Sequence, residues 1–190
     1  VHGNYGYLHE GKIPVRGEEN GWRAVPGWSG SHEWKGYIPQ SELPKAINPD
    51  AGYAVTCNQR VSDASFPYFV GLTFYAGFRA SRVQKSILAL PKGKTVPTDM
   101  AGMHSDRHSE PAQVLIEALL KVLTEADGLA GEALTLLRGW NYEMDRERPE
   151  PAIYSELKTV MTERVARLLF GRHANAFLLD AGGATHIRLL

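Results

Sequence analysis

One cysteine, Cys57, is all the sequence holds, which excludes an internal disulfide framework and a Cys-based zinc cluster. No run reaches the roughly 18 apolar residues that a membrane-spanning helix needs, and none is expected. Charge of one sign is not in excess either. Lys plus Arg and Asp plus Glu stand at 21 each, so no overall field draws the chain to nucleic acid or to an anionic membrane, and neither is expected as a partner. Glycine is plentiful at 19 residues, yet no cluster has the GxGxxG or Walker spacing that cradles phosphate after a strand. A GxSxG elbow is missing too, which leaves a serine hydrolase of the α/β type without an anchor. The opening "VHGNYGYLHEG" has neither a starting Met nor a charged-then-apolar leader and runs straight into strand-like sequence, as expected for a piece of a longer protein.

What is present is globular in composition: 190 residues, 43% hydrophobic and 22% charged, enough for one core or two small ones. Composition changes near Phe78 and predicts an α+β chain, with residues 1–77 rich in strands and loops and residues 78–190 helical. Strands are expected at Gly3 to Leu8 and Tyr53 to Cys57, with turns at "VPGWSG" and "LPKAINPDAG". After the change, Phe78, Val83, Ile87 and Leu90 fit a helix over 77–90. Ser109 reads as the N-cap of a second helix, whose apolar face is Val114, Leu115, Ala118, Leu119, Val122 and Leu123. A third helix is expected near 129–140. A fourth, over 152–170, has a stripe of Ile153, Leu157, Val160, Met161, Val165, Leu168 and Leu169. The closing "FLLDAGGATHIRLL" reads as a connection cut short.

Three stretches invite a chemical reading. In "GYAVTCNQRV", Tyr53 and Val55 alternate with Ala54 and Thr56, so a half-buried strand would deliver Asn58 at its end, where its amide could be aimed at a ligand or could simply satisfy turn backbone. In "HSDRH", His104 and His108 stand one helical turn apart. Ser105 occupies the place where a zinc hydrolase needs Glu, however, and Asp106 and Ser109 read as surface and cap residues. Trp22, Trp28 and Trp34 would suit a carbohydrate-binding module that stacks sugars, or would pack under loops.

Taken in order, "NYGYLHEGKIPVR", "AVPGWSGSHEWKGYIPQSELPKAINPDAGYAVTCNQR" and "FRASRV" resemble the mid-β-chain pattern of the penicillin amidase family, with weaker agreement in "DMAGMHSDRHSEPA" and "LLRGWNYEMDRERPEPAIY". The resemblance implies a fragment of the αββα layered fold of N-terminal-nucleophile hydrolases. Such an enzyme splits an acyl side chain from an amine, and its precursor cuts itself to expose a β-chain whose first residue, usually Ser, attacks the amide. The implied partners are a small-molecule amide, the α-chain and the remainder of the β-chain, and the implied location is periplasmic or secreted.

Residue by residue, Asn58 matches the family Asn whose side-chain amide forms part of the oxyanion hole. Arg79 matches the Arg that orients the nucleophile and the Asn side of the site; Arg82, three residues on, is expected to make an ion pair. The second Asn of the family pair is Gln59 here, which leaves that amide's contact open. Val1 supplies no nucleophilic side chain, so the nucleophile and acyl pocket are expected upstream and the fragment alone inactive. The resemblance gives Cys57 no role, and a buried structural thiol is expected. No cofactor is implied. Structural calcium occurs in some relatives, but most ligands would fall outside this chain, and the position after "FPY" is not acidic.

Overall fold

The computed structural model describes residues 3–17, 23–71, 73–93 and 95–175; Val1, Trp22 and the closing stretch from Phe177 lie outside them. Two compact units divide the chain, Val1–Ala80 and Ser81–Leu190. Among the described residues no helix is long and apolar enough to cross a membrane.

In the first unit, β1 (Gly6–Leu8) pairs antiparallel with β2 (Lys45–Ile47), Tyr7 standing opposite Ala46. Glycine eases the close approach at position 6, where a Cβ would sit 3.0 Å from the Ala46 carbonyl oxygen and the pair would have to give by a few tenths of an ångström. Asn48 closes the pair. Its backbone N–H donates to Tyr5 O over 2.9 Å, and its side-chain Oδ1 accepts from Tyr5 N–H over 3.0 Å. A second short antiparallel contact joins Ile13–Val15 to Lys35–Ile38. Among the described residues, Ile38 and Leu43 are the buried apolar side chains of this unit. A turn at Pro49–Gly52, in which Gly52 N–H donates to Pro49 O over 2.8 Å with Gly52 at φ +79°, delivers the chain to Tyr53.

The expected strand over Tyr53 to Cys57 does not form a ladder. Its side chains do alternate, with Tyr53, Val55, Cys57 and Gln59 half-buried and Ala54, Thr56, Asn58 and Arg60 exposed. The period of two was therefore real, but a ladder also needs a partner strand, and among the described residues no strand pairs with this segment.

Helix α1 (Phe78–Ala89) leads into the second unit, which continues with α2 (Pro97–His104), α3 (Glu110–Val122), α4 (Gly128–Arg138) and α5 (Glu150–Phe170). Ser109 caps α3 as expected, its Oγ accepting from Ala112 N–H over 3.3 Å. The core gathers Ala112, Ile116, Leu137, Trp140 and Tyr154, with Leu115, Leu119 and Leu157 packed against it. The inward face of α3 thus runs through Ala112, Leu115, Ile116 and Leu119, while Val114 and Val122 of the expected face are 58% and 82% exposed. On α5 Ile153 and Leu157 of the expected stripe do pack against the core, but Tyr154 and Ala166 are the buried residues and Leu168 and Leu169 are exposed. Broad apolar faces leave room for such a shift, because whichever side meets the neighbouring helices becomes the core.

Helix α2 was not expected. Pro97 opens it, and Asp99 Oδ2 accepts from Val96 N–H over 2.8 Å at its first turn. It stops at His104, so His104 and His108 do not share a helix; His108 instead forms an isolated bridge with Glu143.

Candidate active site

The site is built on the turn that follows the Tyr53–Cys57 segment. Asn58 adopts φ +63°, in the left-handed region that Asn tolerates better than most side chains. Such a conformation persists where neighbours hold it. Here the Asn58 carbonyl accepts from Tyr75 N–H over 2.9 Å, so residues 58 and 75 run side by side. Gln59 folds back over the turn: Oε1 accepts from Cys57 N–H over 2.5 Å and Nε2 donates to Val55 O over 2.9 Å.

Arg79, in the first turn of α1, completes the arrangement. One guanidinium nitrogen, Nη2, donates to Cys57 O over 2.7 Å and to Asn58 Oδ1 over 2.6 Å. The Tyr75 ring lies under the guanidinium, 5.2 Å from ring centroid to Cζ, a cation–π distance. Arginine can only donate, so the atom of the Asn58 carboxamide facing it is the oxygen, and the amide orientation follows from the bonding. The Asn58 NH2 group is left with both hydrogens to give, and among the described residues nothing accepts them.

Both sequence-predicted residues, Asn58 and Arg79, are therefore brought together. Arg82 stands apart from this pairing: its Nε and Nη2 donate to Asp106 over 2.6 and 3.1 Å. The Arg82 guanidinium holds the Asp106 carboxyl below the usual carboxylate range, so Asp106 is a half-buried ion-pair partner rather than a surface residue. Cys57 is half-buried rather than buried, and it is its backbone that contributes, through N–H to Gln59 and C=O to Arg79. Sequence reasoning missed Tyr75. An aromatic four residues before Arg79 was the available signal, but it precedes the helix, so helical spacing did not point to it.

The other candidates separate from this turn. A cleft of about 730 Å³ borders the segment, walled by Tyr7, Lys45, Val55, Gln59 and Phe66 among others, but neither Asn58 nor Arg79 lines it. Trp28 and Trp34 are exposed, and no ring contact joins them among the described residues. Among the described residues no group of three or more His, Cys, Asp or Glu is placed to hold a metal. Phe69, the residue after "FPY", offers no ligand oxygen from its side chain, and the Arg16 guanidinium lies 5.7 Å from its ring centroid.

The family described as penicillin amidase matches residues 1–185. The chain belongs to the penicillin amidase family. It is 34% identical over 166 residues to the penicillin acylase 2 proenzyme of a Pseudomonas species, a match covering 87% of this chain and 21% of that protein. It is 29% identical over 127 residues to the acyl-homoserine lactone acylase QuiP of Pseudomonas fluorescens, covering 67% of this chain and 15% of that one. A stretch of 59 residues, 30% of this chain and 7% of the relative, is 42% identical to penicillin G acylase of Escherichia coli. The fold matches a thermostable penicillin G acylase from Alcaligenes faecalis with a TM-score of 0.63 at 22% identity, over 92% of this chain and 33% of that one. This penicillin amidase family chain thus spans about a fifth of the first relative's length, and its α+β character agrees with the solved fold.

Proposed function

We propose that this chain carries the oxyanion-holding part of an amide-hydrolase site. The observation behind the reading is the Arg79 bond to Asn58 Oδ1, which turns the Asn58 NH2 outward as a free donor. In the reaction a hydroxyl oxygen adds to the amide carbonyl carbon, and the carbonyl oxygen gains the negative charge. Asn58 Nδ2–H donates to that charge, and Arg79, fixed and permanently cationic, keeps the amide from rotating. Collapse of the tetrahedral species breaks the C–N bond, the amine leaves with the proton, and water hydrolyses the remaining acyl ester by the same route.

The attacking hydroxyl belongs to an N-terminal Ser outside this chain, and its own α-amine takes the proton. With an ordinary pKa of about 7.7 to 8.0, an α-amine can accept that proton near neutrality, so no separate histidine is required. Substrates are acyl amides of the kinds named for the relatives, penicillins and acyl-homoserine lactones, with cephalosporins and lipopeptides of the same bond type. The site is completed by the α-chain and the rest of the β-chain of one self-cleaving precursor, exported to the periplasm or beyond, and it needs no cofactor.

A chromogenic phenylacetyl anilide tests the reading. The full-length, self-processed protein should release the chromogenic aniline and accumulate a phenylacetyl ester on its new N-terminal residue, seen by mass spectrometry, whereas the 190-residue chain alone should release none. Turnover by that chain that follows the protein through purification would contradict the proposal.

A further inference from the structure

We propose that Gln59 is a positioning residue for Asn58, and that its carboxamide holds the turn rather than any substrate. The inference rests on the reading of Asn58 as oxyanion donor.

Gln59 uses both ends of its side chain on backbone within four residues of itself: Oε1 takes Cys57 N–H and Nε2 gives to Val55 O. The bridge therefore spans Val55 to Gln59 and encloses Asn58, the one residue of the segment at positive φ. Two further bonds reach the same turn from outside, Tyr75 N–H to Asn58 O and Arg79 Nη2 to Cys57 O. A left-handed non-glycine residue needs such over-determination, because without it the backbone relaxes to an ordinary region and swings the side chain away. Removing the bridge should leave Asn58 present but no longer held where the charge develops.

Side-chain length matters to the inference. Glutamine reaches the N–H two residues back and the carbonyl four residues back; asparagine, one methylene shorter, cannot hold both. The backbone bonds take one of the two Nε2 hydrogens and one of the two Oε1 lone pairs, so the amide is oriented by its own turn before any substrate arrives.

The test is a double-mutant cycle in the full-length processed enzyme, with rates referred to titrated active sites so that lost folding or maturation does not count. Gln59→Leu should lower kcat by about 10-fold with KM little changed, because misplacing a group that acts only on the transition state spares substrate binding. In the Asn58→Ala background the same change should cost almost nothing further, since the group it positions is gone. If Gln59→Leu fails to mature, Gln59→Asn carries the test with a smaller expected loss of about 3-fold, on the same transition-state argument. Losses that multiply across the two positions, or normal kcat in the Gln59 variants beside an impaired Asn58→Ala, overturn the positioning role alone. Normal kcat in Asn58→Ala overturns the oxyanion reading and the positioning role together.

Discussion

Arg79 Nη2 lies 2.6 Å from Asn58 Oδ1 and 2.7 Å from the carbonyl oxygen of Cys57, so one guanidinium holds both the side chain and the backbone of the turn. A lysine in its place keeps the charge but loses the planar fork and the stacking surface over Tyr75. Arg79→Lys should accordingly lower kcat by about 10-fold and Arg79→Ala by about 10²-fold, the scale on which small misplacement of a catalytic group is felt. Steady-state kinetics of the processed enzyme check this; an Arg79→Ala variant with normal kcat would remove Arg79 from the site.

The Arg82–Asp106 pair makes a prediction about acid stability. Asp106 is held below its ordinary pKa chiefly by the hydrogen bond from Arg82. A depressed folded-state value means that the stabilisation is complete above the unfolded pKa of about 3.9 and is lost as pH falls below it, through the folded value. Asp106→Asn should therefore destabilise the enzyme by about 1 kcal/mol at pH 7, discounted because Arg82 is part exposed, and the deficit should shrink below about pH 4. Thermal inactivation of variant and parent across that range measures it. A deficit that persists unchanged at pH 3 would place the effect in packing instead.

In the helical unit, Ile116 is fully buried between Ala112, Leu137, Trp140 and Tyr154. Ile116→Ala should cost about 3 to 4 kcal/mol, from lost transfer energy plus the cavity left behind, and should reduce the yield of folded enzyme while leaving KM of the surviving fraction unchanged. Val122→Ala, on the exposed side of the same helix, should fall within about 0.5 kcal/mol of the parent in the 190-residue chain. Denaturant midpoints of the paired variants compare the two. Equal losses would show that the sequence-expected face through Val122 is packed as well.

The α+β character and the four longer helices were readable because apolar spacing and caps are local signals: Ser109 before Pro111 marked α3, and its Oγ bond to Ala112 N–H is where the cap was expected. Helix α2 escaped because "PTDMAGMH" has no apolar stripe, although Pro97 and Asp99 were legible as a helix start. At Tyr53 to Cys57 the alternation was readable and the missing ladder was not, since pairing depends on a second segment whose place the local pattern does not encode. Asn58 and Arg79 came from the family resemblance. Residue spacing alone left Asn58 open between a turn and a site, and only the folded chain puts the guanidinium on its side-chain Oδ1 and Tyr75 beneath. The Gln59 bridge was hidden for a related reason: a long amide can reach several backbone groups, and the choice is made by the turn.

The most direct test is kcat of Asn58→Ala in correctly self-processed enzyme. Loss of one preorganised donor should lower kcat by about 10² to 10³, or roughly 2.7 to 4 kcal/mol, with KM changed far less, because the donor serves charge that exists only in the transition state. Asn58→Asp should be at least as damaging, since it keeps the shape but offers a negative acceptor to a developing anion. A near-normal kcat for Asn58→Ala would contradict the account and leave Asn58 as a residue that merely satisfies its turn.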